Sequence, residues 1–174
     1  MDLYNKIHYY FGNGKGKTSA AVGAAVRMAG SGGRVVFCQF LKNGNSSEIT
    51  VLNSVENIEC MADDEPMGFV WNMSREEKSA ATVSAQRLFA KRAEAGKQAQ
   101  MIIFDELTDA VDCGFLDRDY VISTLKKLAA VAEVIVTGHS QDRDFIDIAD
   151  YVSEIKSIKH PYENGVKARK DIEF

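Results

Sequence analysis

Short continuous apolar runs alternate along this chain with longer segments whose apolar residues recur at helical spacing. That pattern predicts strands buried on both faces, separated by amphipathic helices. Residues 7–11, 34–41, 101–104 and 134–137 read as buried strands, 57–61 as a shorter one and 151–158 as the last. The run at 34–41 is too apolar for an exposed edge and belongs at the centre of a sheet. Residues 18–28 form an alanine-rich helix with Val22 and Val26, small enough to lie close against a sheet, and Gly30-Ser31-Gly32-Gly33 ends it. Ser74-Arg75-Glu76-Glu77 is a capping box opening a helix that carries Ala81, Ala85, Leu88 and Phe89 on one face and stops near Gly96. Val121, Leu125, Leu128 and Ala129 mark a further helix, and 142–149 a short one. Residues 62–72 make a loop containing Asp63, Asp64, Glu65 and Pro66. Strands alternating with helices imply a parallel sheet covered on both faces.

Composition narrows the class. With 174 residues, 45% of them hydrophobic, the chain is expected to form one domain over 1–174. A net charge of −4 without a dense Lys/Arg block argues against nucleic-acid binding, so any anion is bound locally. Cys38, Cys60 and Cys113 are odd in number and lack C-x-x-C spacing, which fits reduced thiols and a cytoplasmic location. No apolar run is long enough to span a bilayer, and no membrane association is expected.

The candidate chemistry begins at residues 11–18, F-G-N-G-K-G-K-T, between the first strand and the first helix. A helix start leaves amide N–H groups unpaired, and a glycine-rich turn can wrap them round an anion. Gly12, Gly14 and Gly16 are expected to take positive φ, Lys17 to add a point charge and Thr18 a hydroxyl for Mg²⁺. Gly12, Asn13, Gly14, Lys15, Gly16, Lys17, Thr18 and Ser19 are the candidate phosphate-binding residues. The loop departs from the Walker A spacing, with Phe11 where the first glycine belongs and an additional cation, Lys15, inside it. The strand at 101–104 ends in Asp105 and Glu106, the expected Walker B partner, so Thr18, Asp105 and Glu106 are the candidate Mg²⁺ (or Mn²⁺) ligands. The fold expected is therefore an α/β P-loop NTPase, RecA-like, a three-layer sandwich with a mostly parallel central sheet.

Other residues admit two readings. Arg27 lies about 13 Å along the helix from Thr18, beyond the phosphates, and by itself reads as a charge complementing the helix end. Gln39 and Lys42 fall at a strand's carboxyl end, where ligands meet doubly wound sheets, or are solvated loop residues. Phe69 and Trp71 project from one face of an extended segment, as a ligand platform or as a plug on the sheet edge. His8 reads as a strand residue, and His8, His139 and His160 have no metal-ligand spacing; none is assigned to catalysis.

Taken together, G-N-G-K-G-K-T-S at 12–19, Arg27, Q-F-L-K at 39–42, G-F-V-W at 68–71 and D-E-L-T at 105–108 resemble the ATP:corrinoid adenosyltransferases. Ala149-Asp150, Ser153-Glu154, Lys159-His160-Pro161 and Gly165-Val166-Lys167-Ala168 extend the resemblance nearly end to end. It implies transfer of the 5′-deoxyadenosyl group of ATP to the Co(I) of a reduced corrinoid, with release of triphosphate, in adenosylcobalamin synthesis or corrinoid salvage. It implies further that ATP lies reversed relative to ordinary P-loop NTPases, giving Arg27 a nucleoside role. Lys17 would act on the leaving group, and Phe69 and Trp71 would wall off the lower face of the corrin. A reduced flavoprotein donor and a homodimer are also implied.

Three departures stand out. The family usually carries an arginine after the T-G of the fifth strand, where this chain has Thr137-Gly138-His139. A-Q-x-G near the end becomes Ala168-Arg169-Lys170-Asp171, with Arg169 a candidate replacement cation. The segment before Gly12 is short, so closure over the corrinoid is expected to differ. The alternative is a nucleotide- or corrinoid-binding P-loop protein with an ATPase or regulatory role.

Overall fold

A computed structural model describes residues 5–42, 46–61, 74–169 and 172. The elements run β1 (Ile7–Phe11), α1 (Lys17–Gly30), β2 (Val35–Gln39), α2 (Ser47–Leu52), β3 (Ile58–Met61), α3 (Arg75–Gly96), β4 (Met101–Asp105), α4 (Leu107–Asp112), α5 (Arg118–Leu128), β5 (Glu133–Thr137), α6 (Arg143–Ile148) and β6 (Tyr151–Glu154). A short 3₁₀ turn at Pro161–Asn164 follows. The six strands form one sheet in the order β3-β2-β4-β5-β1-β6. Every pairing is parallel.

The continuous apolar strands are explained by a core on each face. Side chains alternate across a strand, so Val35, Phe37, Met101 and Ile103 meet Ala21, Ala25 and Ala29 of α1 and Ile49 and Leu52 of α2. Val36, Cys38, Ile102 and Phe104 point the other way, against Ala85, Phe89 and Ala93 of α3, Leu107, Val121, Leu125 and Phe145. This is the three-layer α/β sandwich of P-loop NTPases. The alanine stripe of α1 lets that helix approach the sheet closely, which fixes where its N-terminus lies.

The capping box at the start of α3 is present: Ser74 Oγ accepts from the Glu77 N–H at 3.2 Å, and Glu77 Oε2 accepts from the Ser74 N–H at 2.7 Å. Further along α3, Arg92 is 1% exposed, and its guanidinium carbon lies 4.4 Å from the centre of the Phe40 ring. Its apolar-face position is consistent with a cation stacked on an aromatic at the end of β2. Helices α2 and α4 had no counterpart in the sequence pattern. The last strand is shorter than the pattern suggested, ending at Glu154, because the Ile155 carbonyl turns to accept the Gly14 N–H at 2.7 Å. Its four residues are all exposed, as the edge position of β6 allows.

All three cysteines carry thiols. Burial pushes the Cys60 thiol up to about 11, and burial also raises that of Cys113, which makes both poor nucleophiles. Among the described residues, no helix is long and apolar enough to cross a membrane.

Candidate active site

Because all strands are parallel, their carboxyl ends share one edge of the sheet. There the loop after β1, the end of β2, the β4–α4 junction and the loop after β5 converge on a cavity of about 580 Å³. Asn13, Lys15, Lys17, Thr18, Ser19, Lys42, Glu48, Glu106 and His139 line it.

The glycine loop differs in one respect from what its composition suggested. Gly12 and Gly16 take φ of 117° and 122°, conformations a side chain would strain, but Gly14 has no positive φ. Gly14 is required instead by close approach: a Cβ there would stand 2.7 Å from the Ile155 carbonyl oxygen and 2.7 Å from the Lys156 carbonyl carbon. The segment after β6 thus lies directly against the loop. Ser157 donates its N–H to Asn13 Oδ1 at 3.0 Å, and Lys15 Nζ donates to the Ile172 carbonyl at 2.8 Å. Lys17 Nζ donates to the carbonyls of Gly12 at 2.7 Å and Gly14 at 3.0 Å. Burial pulls the Lys17 pKa down, while Asp109, Glu106 and Asp105 pull it up.

Beneath the loop, register brings Gln39 of β2 beside Asp105 of β4. Asp105 is fully buried and surrounded by donors. Thr18 Oγ1 donates to its two oxygens at 2.9 and 3.2 Å, Thr137 Oγ1 at 2.7 Å, Gln39 Nε2 at 3.4 Å and Lys42 Nζ at 3.2 Å. Gln39 is itself enclosed, donating to Glu48 Oε1 at 3.1 Å and accepting from Ser46 Oγ at 3.1 Å, so it braces the site rather than lining it. Glu106 has left-handed backbone, φ 61°, and its N–H donates to Thr137 Oγ1 at 2.9 Å. Its carboxylate faces the cavity and pairs with Lys42 at 3.0 Å. Burial raises the Glu106 pKa and Lys42 opposes that; burial likewise lowers that of Lys42, but Asp105 and Glu106 outweigh it and hold Lys42 above its ordinary value.

The sequence-predicted metal residues are therefore adjacent, but they differ in availability. Asp105 is saturated with protein donors, whereas Glu106 opens on the cavity. Thr18 donates its proton to Asp105 and leaves its oxygen lone pairs for a cation. Among the described residues, no group of three or more His, Cys, Asp or Glu side chains is arranged to hold a metal ion. This donor set fits Mg²⁺, which keeps few protein ligands and completes its shell with phosphate oxygens and water.

Two histidines reach the cavity without having been marked by spacing, His139 and His160. His139 Nδ1 lies 3.1 Å from both Asp109 carboxylate oxygens, a contact that needs the proton on Nδ1 because a carboxylate only accepts. That hydrogen bond raises the His139 pKa, against partial burial. Glu48, on the unpredicted helix α2, is another cavity residue that no motif announced. Arg27 is exposed in the last turn of α1 and outside the cavity lining, and its charge acts on the Tyr10 hydroxyl. Arg169 is exposed and also outside it. Phe69, Trp71 and Asp171 lie outside the described residues.

The chain is similar in sequence and in fold to known proteins. The family profile described as ATP:corrinoid adenosyltransferase BtuR/CobO/CobP matches residues 4–174. The corrinoid adenosyltransferase CobA of Salmonella typhimurium is 37% identical over 172 residues, covering 97% of this chain and 85% of that protein. A corrinoid adenosyltransferase of Escherichia coli K12 is 36% identical with the same coverage, and one of Pseudomonas aeruginosa 32% identical over 94% of this chain and 80% of its own length. Among solved structures, the flagellar accessory protein FlaH from Methanocaldococcus jannaschii superposes with a TM-score of 0.55 at 14% identity, covering 86% of this chain and 70% of that one. The cytoplasmic domain of EssC gives 0.57 at 12% identity, over 95% of this chain and 34% of its own. These two likenesses concern the fold alone.

Proposed function

The chain belongs to the ATP:corrinoid adenosyltransferase family, and from that premise we propose that it transfers the 5′-deoxyadenosyl group of ATP to the Co(I) of a reduced corrinoid. The cobalt supplies the electron pair that forms the Co–C5′ bond; the C5′–O bond breaks and its electrons leave with inorganic triphosphate. The nucleophile is thus in the substrate, and the protein's part is orientation and charge stabilisation. The observation that carries this reading is the convergence of Lys17, Thr18 and Glu106 on one cavity beneath the glycine loop.

Each group has a task there. Lys17, which donates to two neutral carbonyls, gains an anionic partner when triphosphate oxygens replace them. The loop amides and Lys15 add donors along the same phosphates. Thr18 and Glu106 would hold Mg²⁺ (or Mn²⁺) with phosphate oxygens, Asp105 bracing them from behind; the ion would offset charge on the leaving group. His139 adds a cation where family members usually carry arginine. The exposed position of Arg27, away from the phosphate cavity, is consistent with a contact to the nucleoside of a reversed ATP.

The corrinoid side rests on the resemblance. Phe69 and Trp71 would form an apolar wall that excludes water and the corrinoid's own base, leaving Co(II) four-coordinate and easier to reduce. A reduced flavoprotein would supply the electron, in the cytoplasm, with the protein acting as a homodimer of single 1–174 domains.

Anaerobic incubation with ATP, Mg²⁺ and chemically reduced corrinoid is expected to give a light-sensitive cobalt–carbon absorption spectrum and one triphosphate per adenosyl group. Orthophosphate release without a cobalt–carbon bond would replace this reading with an ATPase. Binding without turnover would make the protein a nucleotide- or corrinoid-binding regulator.

A further inference from the structure

We propose that Lys42 is a transferable counter-cation: it pairs with both Asp105 and Glu106, and passes to the triphosphate when the nucleotide and its metal bind. The inference rests on the nucleotide reading above and adds a residue to it.

The geometry sets one ammonium group between two carboxylates, 3.2 Å from Asp105 Oδ2 and 3.0 Å from Glu106 Oε1. Asp105 is fully enclosed, whereas the Lys42 side chain is 28% exposed and lines the cavity, so the lysine can leave without uncovering the aspartate's other donors. Those donors, Thr18, Thr137 and Gln39, stay in place when it moves.

Backbone strain supports a functional pair. Among the described residues, the non-glycine positions with left-handed backbone are Leu41, φ 57°, and Glu106, φ 61°. One directly precedes Lys42 and the other is its partner. Such conformations are disfavoured for side-chain-bearing residues and gather at sites where a group must be aimed. Leu41 is additionally packed on the core, which anchors the turn that brings Lys42 back over the carboxylates.

Charge accounting gives the direction of the transfer. A divalent cation on Glu106 repels an ammonium held about 3 Å away on the same group, and a triphosphate attracts it. The two changes act together, so one arriving ligand both displaces the lysine and receives it. A permanent brace would behave differently, since both ligands would then need Lys42 where it is.

Two measurements on Lys42→Met, made at the same pH as on the wild-type protein, separate these cases. Mn²⁺ alone, followed by electron paramagnetic resonance, should bind the nucleotide-free variant about tenfold more tightly than the wild-type protein. Inorganic triphosphate without metal, followed by calorimetry, should bind about tenfold more weakly, for loss of one charge-assisted contact. Weaker binding of both probes, or unchanged Mn²⁺ affinity, would overturn the transfer.

Should Lys42→Met fail to fold, Glu106→Gln gives an independent reading. Releasing the lysine from one partner should raise metal-free triphosphate affinity severalfold, and Lys42→Arg/Glu106→Gln should retain that gain. A loss or no change in Glu106→Gln refutes the proposal. None of these probes includes a corrinoid. Failure of adenosyl transfer with these opposite shifts intact would overturn only the reaction proposed above, and a wild-type protein that binds no triphosphate would overturn both.

Discussion

Lys17 is placed on neutral acceptors, the carbonyls of Gly12 and Gly14. Exchange of these for phosphate oxygens creates charge-assisted contacts, each worth roughly 1.5–3 kcal/mol. Lys17→Ala should therefore weaken ATP binding by about ten- to a hundredfold and abolish turnover, and calorimetry showing unchanged affinity would remove the lysine from phosphate recognition. His139 yields a pH prediction of definite sign. Its folded pKa is raised above the ordinary 6.5 by the hydrogen bond to Asp109. The stabilisation is complete below that ordinary value and is lost as pH rises through the folded value. Melting temperatures from about pH 6 to pH 8 should fall more steeply for the wild-type protein than for His139→Gln. Parallel curves would show that the contact carries no linkage. The P-loop residues were legible from spacing because one contiguous segment contains them. The Asp109–His139 and Lys42–Glu106 pairs were not, since each joins side chains from different loops and no spacing encodes them.

The element that the glycine loop meets is the segment after β6. Gly14 accommodates its backbone and donates to Ile155, and Asn13 accepts from Ser157, so loop and C-terminal segment are coupled by contacts on both sides. Gly14→Ala would drive a methyl group to within 2.7 Å of that backbone. The segment must shift, and amide exchange at residues 155–160 is expected to speed up in the variant while that of α3 stays unchanged. Equal protection in both proteins would show that the loop, not the segment, gives way. The long elements were readable because burial imposes periodicity over many residues. Helices α2 and α4 were not: Ser47–Leu52 and Leu107–Asp112 are each under two turns, too short for a helical period to emerge.

For the whole molecule the decisive issue is whether the proposed nucleotide site serves adenosyl transfer. Phe69 and Trp71 give the sharpest test, because the wall proposed for them and a purely structural role predict different results. With both replaced by Ala, activity should collapse with a flavoprotein reductant yet largely survive when a strong chemical reductant supplies Co(I) directly. If they are core aromatics, truncation should cost about 3–5 kcal/mol of stability for each and lower both activities together. Equal losses with a lowered melting temperature would remove them from the mechanism.

By itself the sequence determined the layered α/β architecture, the buried strands, the glycine loop between β1 and α1 and the family, because these are written in contiguous residues: runs of apolar side chains, a glycine turn, an ordered series of motifs. Tertiary structure alone decided what those residues touch. Parallel register set Gln39 beside Asp105, a turn at Leu41 brought Lys42 onto two carboxylates, and the returning C-terminal segment gave Gly14 a steric reason the sequence pattern could not supply. Chain spacing reports neighbours along one element. Contacts between ends of different strands depend on how the sheet orders them, and that order, β3-β2-β4-β5-β1-β6, is settled by packing both faces at once.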